Sequence, residues 1–155
     1  MTQSSPRYSS LYPPGDYEWF ACDASGHLAV LTTAEIGPIP LSVLSHRPAT
    51  DAFVGVLETM PPRGSSTLLV SLPDARWFKQ IASCGFFAYD WQDVHRTSSF
   101  SQRYEMLSRP GSPIHIAELP VQLQPLVSRT TFTGLRFSDS IQIDVRAFFD
   151  CDPAA

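Results

Sequence analysis

Cys22, Asp23 and His27 stand close together in the stretch ACDASGHLAV, and they are the residue types from which an activated thiol is built. An imidazole can draw off a thiol proton, and a carboxylate can orient the imidazole. The local pattern argues against that use. Asp23, Ser25 and Gly26 suit a turn, and Gly26 can take the positive φ that a tight hairpin needs. If the chain reverses over residues 24–26, Cys22 and Asp23 point to opposite sides of their strand. Only one of them can then meet His27, and no oxyanion donor is identifiable nearby. Cys22 reads as a buried structural thiol and Ser25 as a turn serine, since the G-x-S-x-G elbow is missing.

The remaining chemistry-bearing residues are dispersed. His27, His46, His95 and His115 show no HxH, HxxxH or HExxH spacing, so no metal site is expected. Cys22, Cys84 and Cys151 are too widely spaced for a metal knuckle, and their odd number is no disulfide framework. There is no GxGxxG, and the prolines of RPGSP remove the amide donors a phosphate cradle requires. No cofactor is expected. Asp90 and Asp93 in YDWQD are the closest carboxylates set among aromatics. Two readings stay open for that segment. Phe87, Tyr89 and Trp91 can face a core together, leaving Asp90 as a solvated charge. Alternatively the aromatic and acidic groups form a contact surface for a basic partner. The candidate partner-binding residues are Asp23, at the hairpin tip, with Asp90, Trp91 and Asp93.

Charge and composition narrow the classes. The 155 residues are 43% hydrophobic and 17% charged, which suits one folded domain with a substantial core. A net charge of −4 disfavours general nucleic-acid binding. The opening residues have no apolar run of signal-peptide type and nothing reaches bilayer-spanning length, so a cytoplasmic protein without membrane attachment is expected. Fourteen prolines divide the chain into short elements.

These elements must position the candidates. YEWFACD and HLAVLTT read as a hairpin, apolar on both faces and therefore central in its sheet. TDAFVGVLETM is a helix capped by Thr50 or Asp51 and stopped by Pro61-Pro62. STLLVSL reads as a strand. LPDARWFKQIASCG is a helix that starts at Pro73 and ends at Gly85. FFAYDW is a strand. RYEMLSRPGSPIHIAEL is an extended pair around RPGSP, with Tyr104, Met106, Ile114 and Ile116 inward. LPVQLQPLVSR is a short helix from Pro120. Alternation of Ile141, Ile143 and Val145 with Gln142 and Asp144 predicts a closing, half-exposed strand. The expected fold is α+β: a single domain over residues 16–150, with a mostly antiparallel sheet and two or three short helices on one face. Residues 1–15 are expected to be a flexible arm and 151–155 a frayed tail.

The hairpin and its exit resemble a loosely defined group of small, mostly uncharacterised bacterial cytoplasmic proteins. The resemblance lies in Trp19-Phe20, the Asp23 and Gly26 turn, Thr33-Ala34, and the exit Gly37-Pro38-Ile39-Pro40. The later YEMLSRPGSPIHIAELP is similar to a Tyr-led strand, a Pro-bounded link and a Leu-Pro helix start in that group. Some members resemble immunity proteins, which block a bacterial toxin by binding it. The resemblance implies a non-enzymatic binding module whose partner is a toxin domain with a basic surface. It carries over no catalytic residue. Two alternatives are kept: a small enzyme whose site is assembled from Cys22, His27 and Asp90, and an accessory protein that oligomerises through a sheet edge.

Overall fold

A computed structural model describes residues 16–91 and 102–151. Among them, β1 (Glu18–Asp23) and β2 (Leu28–Thr32) form the expected hairpin, with Phe20 opposite Val30 and Cys22 opposite Leu28. Gly26 takes φ +84° at its tip. Every residue of β2 is buried, as strands covered on both faces require. The hairpin is central. β4 (Phe87–Trp91) lies parallel beside β2, and β5 (Tyr104–Pro110) follows antiparallel. β3 (Ser66–Leu68) forms one edge on β5, and β6 (Thr131–Phe132) the other, parallel to β1. β7 (Gln142–Ile143) adds a short pairing to the first half of β5. The sheet is mixed, with antiparallel pairings in the majority.

Alternation along the central strands separates two cores. Phe20, Cys22, Leu28, Val30, Phe86 and Ala88 enter one of them. It is closed by Phe53 and Leu57 of α2 (Arg47–Thr59), Ile81 of α3 (Arg76–Ser83) and Val127 of α4 (Gln124–Ser128). Trp19, Ala29, Leu31, Phe87, Tyr89 and Trp91 enter the other. That face is closed by Val43 of α1 (Leu41–Leu44) and by Phe137 and Val145, which sit on single 3₁₀ turns. Three helices thus share one face, and turns with one short helix cover the opposite face.

Several boundaries differ from the sequence reading. α2 begins at Arg47 with Pro48 in its first turn, so Thr50 lies inside the helix and neither Thr50 nor Asp51 is its cap. α3 begins at Arg76 rather than at Pro73. Asp74 still serves that end by accepting the Arg76 N–H and by pairing with the Arg76 guanidinium at 2.8 Å. The expected pair around RPGSP has only its first arm. β5 pairs with β3, β4 and β7, while the second arm makes a single bridge, His115 to His27, and then a 3₁₀ turn over Ile116–Glu118. Tyr104 and Met106 enter one core and Ile114 the other. The expected closing strand is reduced to β7, because 3₁₀ turns at Phe137–Asp139 and Val145–Ala147 curl the chain on either side of it. Ile143 and Val145 are buried there, and Ile141 is 49% exposed. Cys151, expected in the frayed tail, is half-buried and bridges to Pro40. The expected arm, residues 1–15, and residues 152–155 lie outside the described residues. No helix among the described residues is long and apolar enough to cross a membrane.

Candidate functional site

Asp23 is held inside the hairpin tip. Its side chain accepts the backbone N–H groups of Ser25 and His27 on one oxygen, each at 2.9 Å, and that of Phe137 on the other at 2.8 Å. The residue is 2% exposed. A carboxylate engaged by three amides and shielded from solvent anchors the turn and ties it to the Phe137 segment. Its place is internal, which corrects the expectation that it faces a partner at the surface. Gly26 is fixed by the same convergence, since a Cβ there would collide with the His115 imidazole.

The three residues of the enzyme alternative stand apart. Cys22 enters the helix-covered core, whereas the His27 ring lies on the other face of the sheet, with its centroid 6.3 Å from that of Phe87. Burial, with Asp23 nearby, pushes the Cys22 thiol up to about 11, so it is protonated at neutral pH. Asp90 pairs with Thr32 at the far end of β2, about 16 Å of extended strand from His27. The structure does not bring these side chains together. An open hollow of about 520 Å³ lies beside the hairpin tip, with Arg136, Asp139, Ser140 and Phe148 in its lining, and neither His nor Cys lines it. Among the described residues no cluster of His, Cys, Asp and Glu is arranged to hold a metal.

The YDW segment resolves into two faces. Phe87, Tyr89 and Trp91 all enter the core beside Phe137. Trp91 is 3% exposed, with its ring 5.2 Å from that of Tyr104. Trp91 is therefore a core residue, and its burial leaves little surface for a partner. Asp90 points to the opposite side, half-buried, and accepts a hydrogen bond from the Thr32 hydroxyl. Asp93 lies outside the described residues.

Strand register reveals a set that residue-by-residue reading misses. Glu18 is opposite Thr32, Thr32 is opposite Asp90, Asp90 is opposite Glu105, and Glu105 is opposite Gln142. Directly opposed residues in neighbouring strands share a face, so these five side chains form one transverse row across the sheet. Three of them are carboxylates, each half-buried. Each follows a core tyrosine: Tyr17-Glu18-Trp19, Tyr89-Asp90-Trp91 and Tyr104-Glu105-Met106. That recurring triplet of apolar-in, acid-out and apolar-in is the available signal.

The Glu18 end of the row is crowded with like charge. Burial raises the Glu18 carboxyl above its ordinary range, and Asp16, Glu58 and Asp51 push it further in the same direction. Asp51 and Glu58 come from the exposed side of α2. Tyr17 is raised too, by burial and then by Asp51, although the Arg47 guanidinium stands 5.9 Å over its ring. A surface with this composition is suited to receive positive charge. Its carboxylates are spread along a line of strands and so match an extended basic surface better than a point cation.

Neither a family model, nor a curated protein, nor a solved structure matches this chain.

Proposed function

We propose that this protein is a non-enzymatic binding module that engages a basic protein surface through its transverse carboxylate row, in the manner of an immunity protein that occludes a toxin. One observation carries the reading. Glu18, Asp90 and Glu105 are aligned on one sheet face by register, and the Glu18 end is further crowded by Asp16, Asp51 and Glu58. Half-buried carboxylates held in register are preorganised, so a cationic partner loses little side-chain entropy on this side of the contact. Arginines of a partner can bridge neighbouring carboxylates across the strand spacing. Long-range attraction would raise the association rate, and salt would lower it.

The test uses the product of the neighbouring reading frame as the candidate partner. Binding is measured by calorimetry at low and high salt, with Asp90→Lys and Glu105→Lys proteins beside the unmutated chain. The expected result is loss of affinity in both variants and a fall in affinity of the unmutated protein as salt rises. Unchanged binding by variants that melt normally would refute the row as the contact. A neighbouring product that does not bind and does not impair growth would remove the immunity reading.

A further inference from the structure

β3 is an edge strand of three residues that carries no charge and no proline. Its inner side is fully engaged with β5: the Gly111 N–H donates to the Ser65 carbonyl, Thr67 is registered with Arg109, and the Leu69 N–H donates to the Leu107 carbonyl. Antiparallel pairing uses alternate residues. The N–H and C=O groups of Ser66 and Leu68 therefore point away from β5, and among the described residues they have no partner. α3 packs over this part of the sheet, with the Ser108 hydroxyl of β5 donating to the Phe78 carbonyl of α3. Thr67 is exposed, and Leu69 is 39% exposed. Exposed edges are normally defended by shortness, by lysine, proline or a bulge, or by a covering segment, and here shortness is the defence the strand itself supplies. Residues 65–72, SSTLLVSL, contain no charged residue and no proline, and the bulge in this sheet lies elsewhere, at Ala88/Tyr89.

We propose that this edge is a self-association surface on which a second copy of the chain pairs antiparallel through β3, joining two sheets into one. The occupant follows from charge. Each chain carries −4, so most faces of two copies repel. Along residues 65–72 there is nothing to repel, and the ends are neutralised within the chain: Arg63 by Glu118 at 2.9 Å, and Asp74 by Arg76 at 2.8 Å. A two-fold axis at Thr67 sets Ser66 of one copy opposite Leu68 of the other, so the free N–H and C=O groups satisfy each other. Thr67 then faces its own counterpart in the close, non-hydrogen-bonded position, where a Thr–Thr pair is favourable. The edge is short, so the dimer is a weak one that forms with rising concentration.

Sedimentation velocity over a concentration series, with amide exchange on the same samples, tests this on the full chain. The expected result is a dimer that grows with concentration, with Ser66 and Leu68 amides slowing in step while Thr67 and Leu69 amides are protected throughout. Thr67→Lys sets two like charges face to face at the axis and should weaken the dimer by at least about tenfold. Ser66→Pro removes an outward N–H without touching the β5 ladder and should do the same. Thr67→Lys, on an exposed side chain, keeps the test decisive if Ser66→Pro misfolds. A chain that stays monomeric up to about 1 mM, the weak end of specific association, overturns the proposal. So does a dimer that Thr67→Lys leaves intact, or one that forms without protecting Ser66 and Leu68.

Discussion

Replacing Asp23 by alanine is the most searching test of the fold. The side chain holds three backbone amides, and its bond to the Phe137 N–H is buried. Leaving a buried donor unpaired costs about 1–3 kcal/mol. The Ser25 and His27 amides are partly open to solvent, so each is assigned about half of that. The sum for Asp23→Ala is about 2–6 kcal/mol. In a chain of this length each kcal/mol lowers Tm by about 2–4 °C, so the midpoint of the range corresponds to roughly 12 °C. Asp23→Asn keeps one acceptor oxygen and should cost about 1–3 kcal/mol. Urea and thermal melts give both values, and amide exchange localises them: His27 and Phe137 should lose protection first. A loss below about 1 kcal/mol for Asp23→Ala would show that the hairpin tip is not held by this carboxylate.

The same geometry fixes other outcomes. Gly26→Val should destabilise far more than Ser25→Ala, by about 3 kcal/mol or more, because it combines positive φ with collision against His115; equal melting temperatures would refute the turn placement. A thiol reagent at pH 8 should modify Cys151 ahead of Cys22 and Cys84, which are buried, and Cys22 should react only as the chain unfolds; early labelling of Cys22 in folded protein would contradict its raised thiol. Glu18→Gln should raise Tm at pH 7. A carboxyl whose folded value is raised makes the native state less stable as pH climbs through that value, so the advantage of the glutamine should shrink toward pH 4, where glutamate itself is largely protonated. A stability gain that is independent of pH would mean that the crowding is not electrostatic.

The hairpin is legible in the sequence because its determinants are local. A turn-forming Asp-Ala-Ser-Gly run between two strands that are apolar on both faces specifies reversal and burial without distant information. The end of α3 is legible for the same reason, since Gly85 takes φ +103° just past its C-cap. The features that escape the sequence depend on contacts between segments far apart in the chain. β6 and β7 are two residues each, too short to show any period, and they exist because β1 and β5 offer free ladder positions. The second arm of RPGSP reads as extended, and Ile114 does carry an apolar side chain inward. However, β5 already has β4 on one side and β3 with β7 on the other, so no ladder position remains for that arm. Trp91 and Asp23 mislead as contact residues because aromatic and acidic types suit surfaces as well as cores. Only the alternation against Phe87 and the Phe137 amide decides between them.

The carboxylate row shows the same division between what is written locally and what pairing creates. Each Tyr-acid-apolar triplet is visible in the sequence, but alignment of the three depends on the parallel β2–β4 register, which is set by a crossover of more than fifty residues. That register does not itself demand charge. Thr32 and Gln142 occupy the same row with neutral polar side chains, so the sheet accommodates uncharged groups there. At Glu18 the charge is a liability to the free chain, because burial and three neighbouring carboxylates all oppose ionisation. The fold therefore does not require the charge at this position. A cationic partner would convert the cost into attraction. The two readings separate in one variant: Glu18→Gln should stabilise the free protein and weaken its complex with a basic partner, whereas a purely structural row would gain stability and leave binding unchanged.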